Sequence, residues 1–251
     1  MLAEIMPDMS ITQLWLVALA VLFAALMRSF SGFGFALMAV PVFSLFLTPG
    51  DSVVLSAILT LAISIATYKA WWGKFPTRVA PPMIAGSFVG TAVGVYFLSN
   101  ASVDQFRLWI GLSVIVGCIA LARFKPGDHE PSARLSGGTG VASGLMNGAF
   151  AIPGPPVVLF VMATIHEPTR ARAFLMMFFF VSNLISMSMF TAAGVVTANP
   201  FYLFLVAFPV MLVGDRVGAW AFARVGGRAY RPVAMAVCAL VGVAITARAL
   251  L

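Results

Sequence analysis

The sequence predicts an all-α polytopic membrane protein made of two inverted repeats, each a re-entrant or broken helical hairpin followed by three transmembrane helices. Three observations carry this prediction: the composition, the unequal lengths of the apolar segments, and two glycine- and proline-rich breaks at matching places in the halves. Of the 251 residues, 61% are hydrophobic and only 9% are charged, and the mean hydropathy is +1.03. A soluble chain carries roughly 25% charged residues. It also has too little interior to hide this much apolar surface, so lipid must be the solvent for most of it. The net charge of +7 does not point to nucleic acid, because the basic residues sit in short gaps between apolar runs and form no basic face. Cys118 and Cys238 each lie inside an apolar run, which leaves no disulfide framework and no CxxC metal site. The first ten residues hold Glu4 and Asp8 and no Lys or Arg, so they lack the basic start of a signal peptide, and the first apolar run is expected to be retained.

Apolar segments fall at about 11–27, 33–47, 52–70, 79–98, 106–123, 136–149, 153–165, 171–193, 200–222 and 231–250. Backbone groups in hydrocarbon must be satisfied within their own segment, so these read as helices; a barrel would need alternating polarity, and the runs do not alternate. A full span needs about 20 residues. Segments 33–47, 136–149 and 153–165 fall short, and each borders a break: Arg28 to Gly34 in the first half, Asn147 to Pro156 in the second. The stretches 11–47 and 136–165 are therefore expected to be hairpins, with full spans at 52–70, 79–98, 106–123, 171–193, 200–222 and 231–250. The first repeat covers 1–123, a cytoplasmic linker 124–135, and the second repeat 136–251.

Residue matches support the two halves. Pro81, Gly86 and Gly90 match Pro209, Gly214 and Gly218 at an offset of 128; Gly117 and Arg123 match Gly242 and Arg248 at 125; Pro49 matches Pro168 at 119, which also sets Arg28 opposite Asn147. Three crossings per repeat would invert the second half. The loops at 69–78, 123–135, 166–172 and 223–231 then share one side and hold nearly all the basic residues, leaving Arg107 and Arg248 opposite. The positive-inside rule makes the basic side cytoplasmic and puts both termini outside. Trp71, Trp72 and Tyr68 are expected at the interface, where amphipathic rings settle.

Discontinuous helices in inverted repeats place a ligand site near the midplane. Each second hairpin leg starts inside the membrane, near Gly34 and near Pro155. A helix start offers unpaired N–H groups and the positive end of the dipole, both attractive to anions. Gly32, Gly34, Gly148 and Gly154 would let a ligand approach the backbone; the alternative is a pair of tight hairpin tips. Arg28 marks a pathway or a pairing at that depth, or else snorkels to the cytoplasmic surface. Asn147 and Asn183 are ligand candidates or interhelical hydrogen bonders. Ser29, Ser31, Thr60 and Ser64 are further candidates that could simply bond their own backbone. Together Arg28, Ser31, Asn147 and Asn183 are expected to line one pocket, with Phe33 and Phe150 as apolar walls. Asp215 and Arg216 are expected in a local salt bridge or in helix packing rather than in a proton relay, and His166 and Glu167 on the surface. No Walker A pattern, GxSxG, dinucleotide fingerprint or HExxH is present. The chain is accordingly read as a transporter rather than an enzyme, with no cofactor and no metal.

The stretches GFGFALMAVPVFSLFLTP at 32–49 and IPGPPVVLFVMA at 152–163 resemble the TauE/SafE sulfite exporter family, also called the TSUP permeases. Arg28, Ser29, Phe30, Ser31 and Pro153 stand where many members carry further glycines. The resemblance implies secondary transport of small sulfur-containing anions, sulfite or organosulfonates, across the bacterial inner membrane. The reading of the two breaks places substrate at Arg28, Ser29, Ser31, Gly32, Phe33, Gly34, Asn147, Gly148, Phe150, Pro153, Gly154, Pro155 and Asn183. An anion channel, or a carrier of small carboxylates, is the alternative. The partners implied are a small anion and the lipid bilayer, with a homo-oligomer left open and nucleic acid excluded.

Overall fold

The computed structural model describes residues 11–31, 34–75, 78–123 and 132–225. The elements are α1 (Ile11–Ser31), α2 (Phe35–Phe43), α3 (Pro49–Ala66), α4 (Tyr68–Trp71), α5 (Ala80–Asn100), α6 (Val103–Arg123), α7 (Ala133–Phe150), α8 (Gly154–Thr164), α9 (Pro168–Ala192) and α10 (Asn199–Val225), with no strand among the described residues. Five helices are long and apolar enough to cross a membrane: Pro49–Ala66, Ala80–Asn100, Val103–Leu121, Thr169–Ala192 and Asn199–Gly218. The expected span at 231–250 and most of the linker at 124–135 lie outside the described residues. Large apolar side chains such as Trp15, Phe88, Tyr96, Trp109, Leu205 and Trp220 are exposed on the outside of the bundle. Water would not tolerate such a surface, and lipid would.

The helix starts follow proline chemistry. Pro49, Pro81 and Pro168 all sit in the first turns of their helices, where the missing N–H costs nothing. At Thr48 the side-chain oxygen also accepts from Asp51 N at 3.1 Å. These boundaries recur at one spacing. Phe35 and Gly154, Pro49 and Pro168, Ala80 and Asn199, and the helix ends Ser31 and Phe150 are each 119 residues apart. The matches at 128 do not survive. Pro81 is at a helix start whereas Pro209 lies inside α10, and the residue equivalent to Pro81 is Pro200. A proline in a helix interior and one at a helix start meet different constraints, so the shared letter misled. The partners at 125, Gly242 and Arg248, lie outside the described residues.

The hairpin legs are not both short. The legs α1 and α7 run 21 and 18 residues, and only α2 and α8, with 9 and 11 residues, are short. At a 1.5 Å rise the short legs reach roughly 14 and 17 Å, about half the hydrocarbon thickness. The small residues of 133–150 lowered its apolar signal, but they serve packing rather than breaking the helix. Alpha carbons of Gly86, Gly90 and Gly94 on α5 lie against the backbone around Gly137, Val141 and Leu145 on α7, and Gly140, Gly144 and Gly148 return the contact at Met83, Ser87 and Thr91. A methyl group at any of these six positions would strike backbone atoms. Because both series ascend together, α5 and α7 run parallel. Small residues spaced four apart let two helices approach until dispersion and weak Cα–H···O contacts hold them.

Packing crosses between the halves. While α5 lies on α7, α10 lies on α1; α3 packs on α10 and α5 on α9; and α3 packs directly on α9. The largest apolar core forms around Phe43, Leu55, Leu59, Phe106, Ile110 and Phe190, and a second around Met83, Phe174 and Phe178. Trp72 is exposed as expected, but Trp71 turns inwards, 3% exposed, and its Nε1 donates to Ser64 O at 3.1 Å. An indole N–H taken out of water needs such an acceptor, and the short α4 supplies the turn that brings it there.

Candidate functional site

The two breaks meet. A cavity of about 40 Å³ lies between them, walled by residues 34–37, residues 151–155, Arg28, Thr60, Ser64, Met176, Phe179 and Asn183. It has room for roughly three water molecules or one small ion. Most of the wall comes in pairs at the 119 spacing: Gly34 with Pro153, Phe35 with Gly154, Ala36 with Pro155, Thr60 with Phe179, and Ser64 with Asn183. Arg28, Leu37 and Met176 have no such partner there, since Asn147, Pro156 and Ala57 are not in the wall.

Each break is built differently. Gly34 caps α2 at φ 99 with no side-chain hydrogen bond, a conformation that side chains other than glycine rarely adopt. Past it the N–H groups of Phe35, Ala36 and Leu37 stand ahead of the first ladder bond, Met38 N to Gly34 O at 3.2 Å. On the other side α7 ends at Ala151, φ 54, and the Ser143 hydroxyl holds the tip by donating to Pro153 O at 2.5 Å. Of the first three residues of α8, Pro155 and Pro156 carry no N–H, leaving Gly154. The expectation of two matched anion-attracting helix ends is therefore corrected: the backbone donors concentrate on α2, because proline fills the equivalent positions on α8.

The one ionisable residue of the described wall is Arg28, and it is anchored from the opposite half. Its Nη1 donates to Asp215 Oδ1 on α10 at 2.6 Å, with the two side chains 13% and 26% exposed. Of the two expectations for Asp215, a local salt bridge or helix packing, the second agrees with this pair between α1 and α10; on a helix, adjacent side chains diverge and a facing helix offers the better geometry. Asn183 is 1% exposed, and its Nδ2 donates to Phe179 O at 2.8 Å while Oδ1 has no partner among the described residues. Ser64 behaves in the same way, its hydroxyl donating to Thr60 O at 2.7 Å.

Of the expected site residues, Arg28, Gly34, Pro153, Gly154, Pro155 and Asn183 line the cavity, and Asn147, Gly148 and Phe150 do not. Instead Asn147 Nδ2 reaches Ser182 Oγ at 2.8 Å and Ser186 Oγ at 2.5 Å, stitching α7 to α9. Gly148 belongs to the seam with α5. The ring of Phe150 packs on Phe97 and Phe106, with centroids 5.9 and 5.7 Å away. Gly32, Phe33 and the side chains of Ser29 and Ser31 lie outside the described residues. Met176 and Phe179 were missed, although the 119 spacing applied to Thr60 would have found Phe179.

The family description "Sulfite exporter TauE/SafE" matches residues 17–245, nearly the whole chain. The chain belongs to the TauE/SafE family. Members of this family are membrane transporters and not enzymes, which agrees with an all-helical chain carrying five candidate spans. A curated TauE/SafE relative from Cupriavidus necator H16, described as a probable sulfite/organosulfonate exporter TauE, is 26% identical over 201 residues, 76% of this chain and 77% of its own length. No solved structure matches.

Proposed function

We propose that the chain is a secondary transporter of small sulfur-containing anions, sulfite or an organosulfonate, in the bacterial inner membrane, and that the anion sits in the cavity between the two breaks. One observation carries this reading: Phe35, Ala36 and Leu37, whose N–H groups precede the first ladder bond of α2, share a small cavity with Arg28. Backbone dipoles and one guanidinium attract an anion without holding it so tightly that it cannot leave. The substrate class rests on the family and on the description of the Cupriavidus relative.

Inverted repeats are the arrangement we favour. The second half begins at the helix equivalent to α1, namely α7. When α1, α2, α3 and α5 alternate in direction, the parallel course of α5 and α7 sets α7 opposite to α1, which is the relation inversion requires. Exposed Lys69, Lys74, Arg123, Arg134 and Arg170 would then face the cytoplasm and both termini the outside. The cavity would lie near the midplane, since each short leg covers about half the bilayer.

The test is flux. Purified protein in liposomes should exchange labelled sulfite with saturation and counterflow, and acetate or pyruvate should compete poorly. Linear, non-saturating flux would establish a channel, and preferred uptake of the carboxylates would move the substrate class.

A further inference from the structure

The cavity holds more acceptors than a bare anion can use. Ser64 and Asn183 occupy equivalent places, 119 residues apart, on α3 and α9. Each donates to the carbonyl four residues earlier, Thr60 O at 2.7 Å and Phe179 O at 2.8 Å. What remains is an accepting oxygen on Ser64 and, on Asn183, the accepting Oδ1 beside the second amide N–H. For Asn183 the amide cannot profitably turn over, because the oxygen would then meet the Phe179 carbonyl. That oxygen belongs to a residue 1% exposed, and it has no partner among the described residues. A buried acceptor left unpaired is costly, so a ligand that supplies a hydrogen bond gains over one that does not. Arg28 does not supply that hydrogen bond: its described bond goes to Asp215, and Asn183 Oδ1 has no described partner.

We infer that Ser64 and Asn183 select an anion bearing its own hydrogen-bond donor. The anionic oxygens lie at the α2 start and Arg28, and the donor reaches the oxygens of Ser64 and Asn183. Protonated oxyanions such as hydrogensulfite fit this pattern, as do sulfonates with an adjacent amino or hydroxyl group; fully deprotonated dianions do not. This inference rests on the proposed anion site.

Sulfamate and methanesulfonate separate the cases. They are close in size, both are monoanions at neutral pH, and they differ in an amino group against a methyl group. With the purified full chain, calorimetric titration in potassium buffer should show sulfamate binding at least about ten-fold more tightly. The ratio should fall towards one in Ser64→Ala and in Asn183→Leu. Equal binding of the two anions by the unsubstituted chain overturns donor selection and leaves the anion site standing. A ratio unchanged in both variants overturns the assignment to these residues. Binding of both anions that rises equally with sodium would give the oxygens to a cation instead. Failure of either anion, and of sulfite, to bind at all removes the anion site and this inference with it.

Discussion

Deleting Asp215 should harm the protein more than deleting Arg28, and deleting both should harm it less than the sum. The pair joins α1 of the first half to α10 of the second through a 2.6 Å contact, and Arg28 is the more enclosed partner, 13% exposed against 26%. Asp215→Ala strands a guanidinium beside the cavity, for which the loss should be about 3 kcal/mol, the lower end of the range for breaking a buried pair. Arg28→Ala removes one partner of a carboxylate that water can still reach, and about 2 kcal/mol is expected, the scale of a hydrogen bond to a charged group. In the double variant no guanidinium is left facing an empty place, so a coupling of at least about 1 kcal/mol should return. On a scale of about 2–4 °C per kcal/mol for a chain of this size, Asp215→Ala should melt roughly 6–12 °C early. Cys118 is buried, so the rate at which a thiol-reactive fluorophore labels it on heating in detergent reports unfolding; replacing Cys238 by Ala keeps that signal single. Strictly additive losses would sink the argument that the two residues hold one another.

Three further outcomes follow from the same geometry. Arg28→Ala should weaken sulfite binding by at least ~1 kcal/mol, and Arg28→Lys should recover only part of it because the planar fork is lost; calorimetry showing no change in the alanine variant would take Arg28 out of the site. Gly90→Ala brings a methyl group against the Val141 carbonyl and within 2.8 Å of Leu145 N, and should abolish the monodisperse peak in size-exclusion chromatography. Gly138→Ala, which meets nothing within 4 Å, should keep that peak; equal behaviour of the two would refute the seam. In a cysteine-free background, cysteines at Lys74 and Arg134 should be shielded from an impermeant reagent in intact cells while one at Ser102 reacts, and external labelling of both basic positions would overturn the proposed orientation.

Hydrophobicity made the helices legible, because hydrocarbon leaves the backbone no other choice. Glycine marked the break at Gly34, and proline the one at Pro153, because a helix boundary tolerates what its interior does not. The roles of Asn147, Gly148 and Phe150 were not legible. A polar or small residue beside a break reads identically whether it faces a cavity or a neighbouring helix, and only the facing partner decides. For Asn147 that partner is the Ser182 and Ser186 pair on α9. The match of Pro81 to Pro209 failed for a related reason, since residue identity carries no information on where along a helix the residue lies. Arg28 and Asp215 are 187 residues apart, and local pattern does not bridge that distance.

The crossed packing bears on biogenesis. By the time the glycine face of α5 has left the ribosome, the helix that fits it, α7, has not been made, and the grooves at Gly86, Gly90 and Gly94 can meet only lipid chains, which fill a groove that narrow poorly. The wait for α1 is longer still, because its companion α10 is synthesised more than 150 residues later. Neither half can therefore mature alone in the order of translation. A truncated product ending after α6 would sit in the bilayer with two unmated surfaces, a form that membrane quality control has a physical basis to recognise.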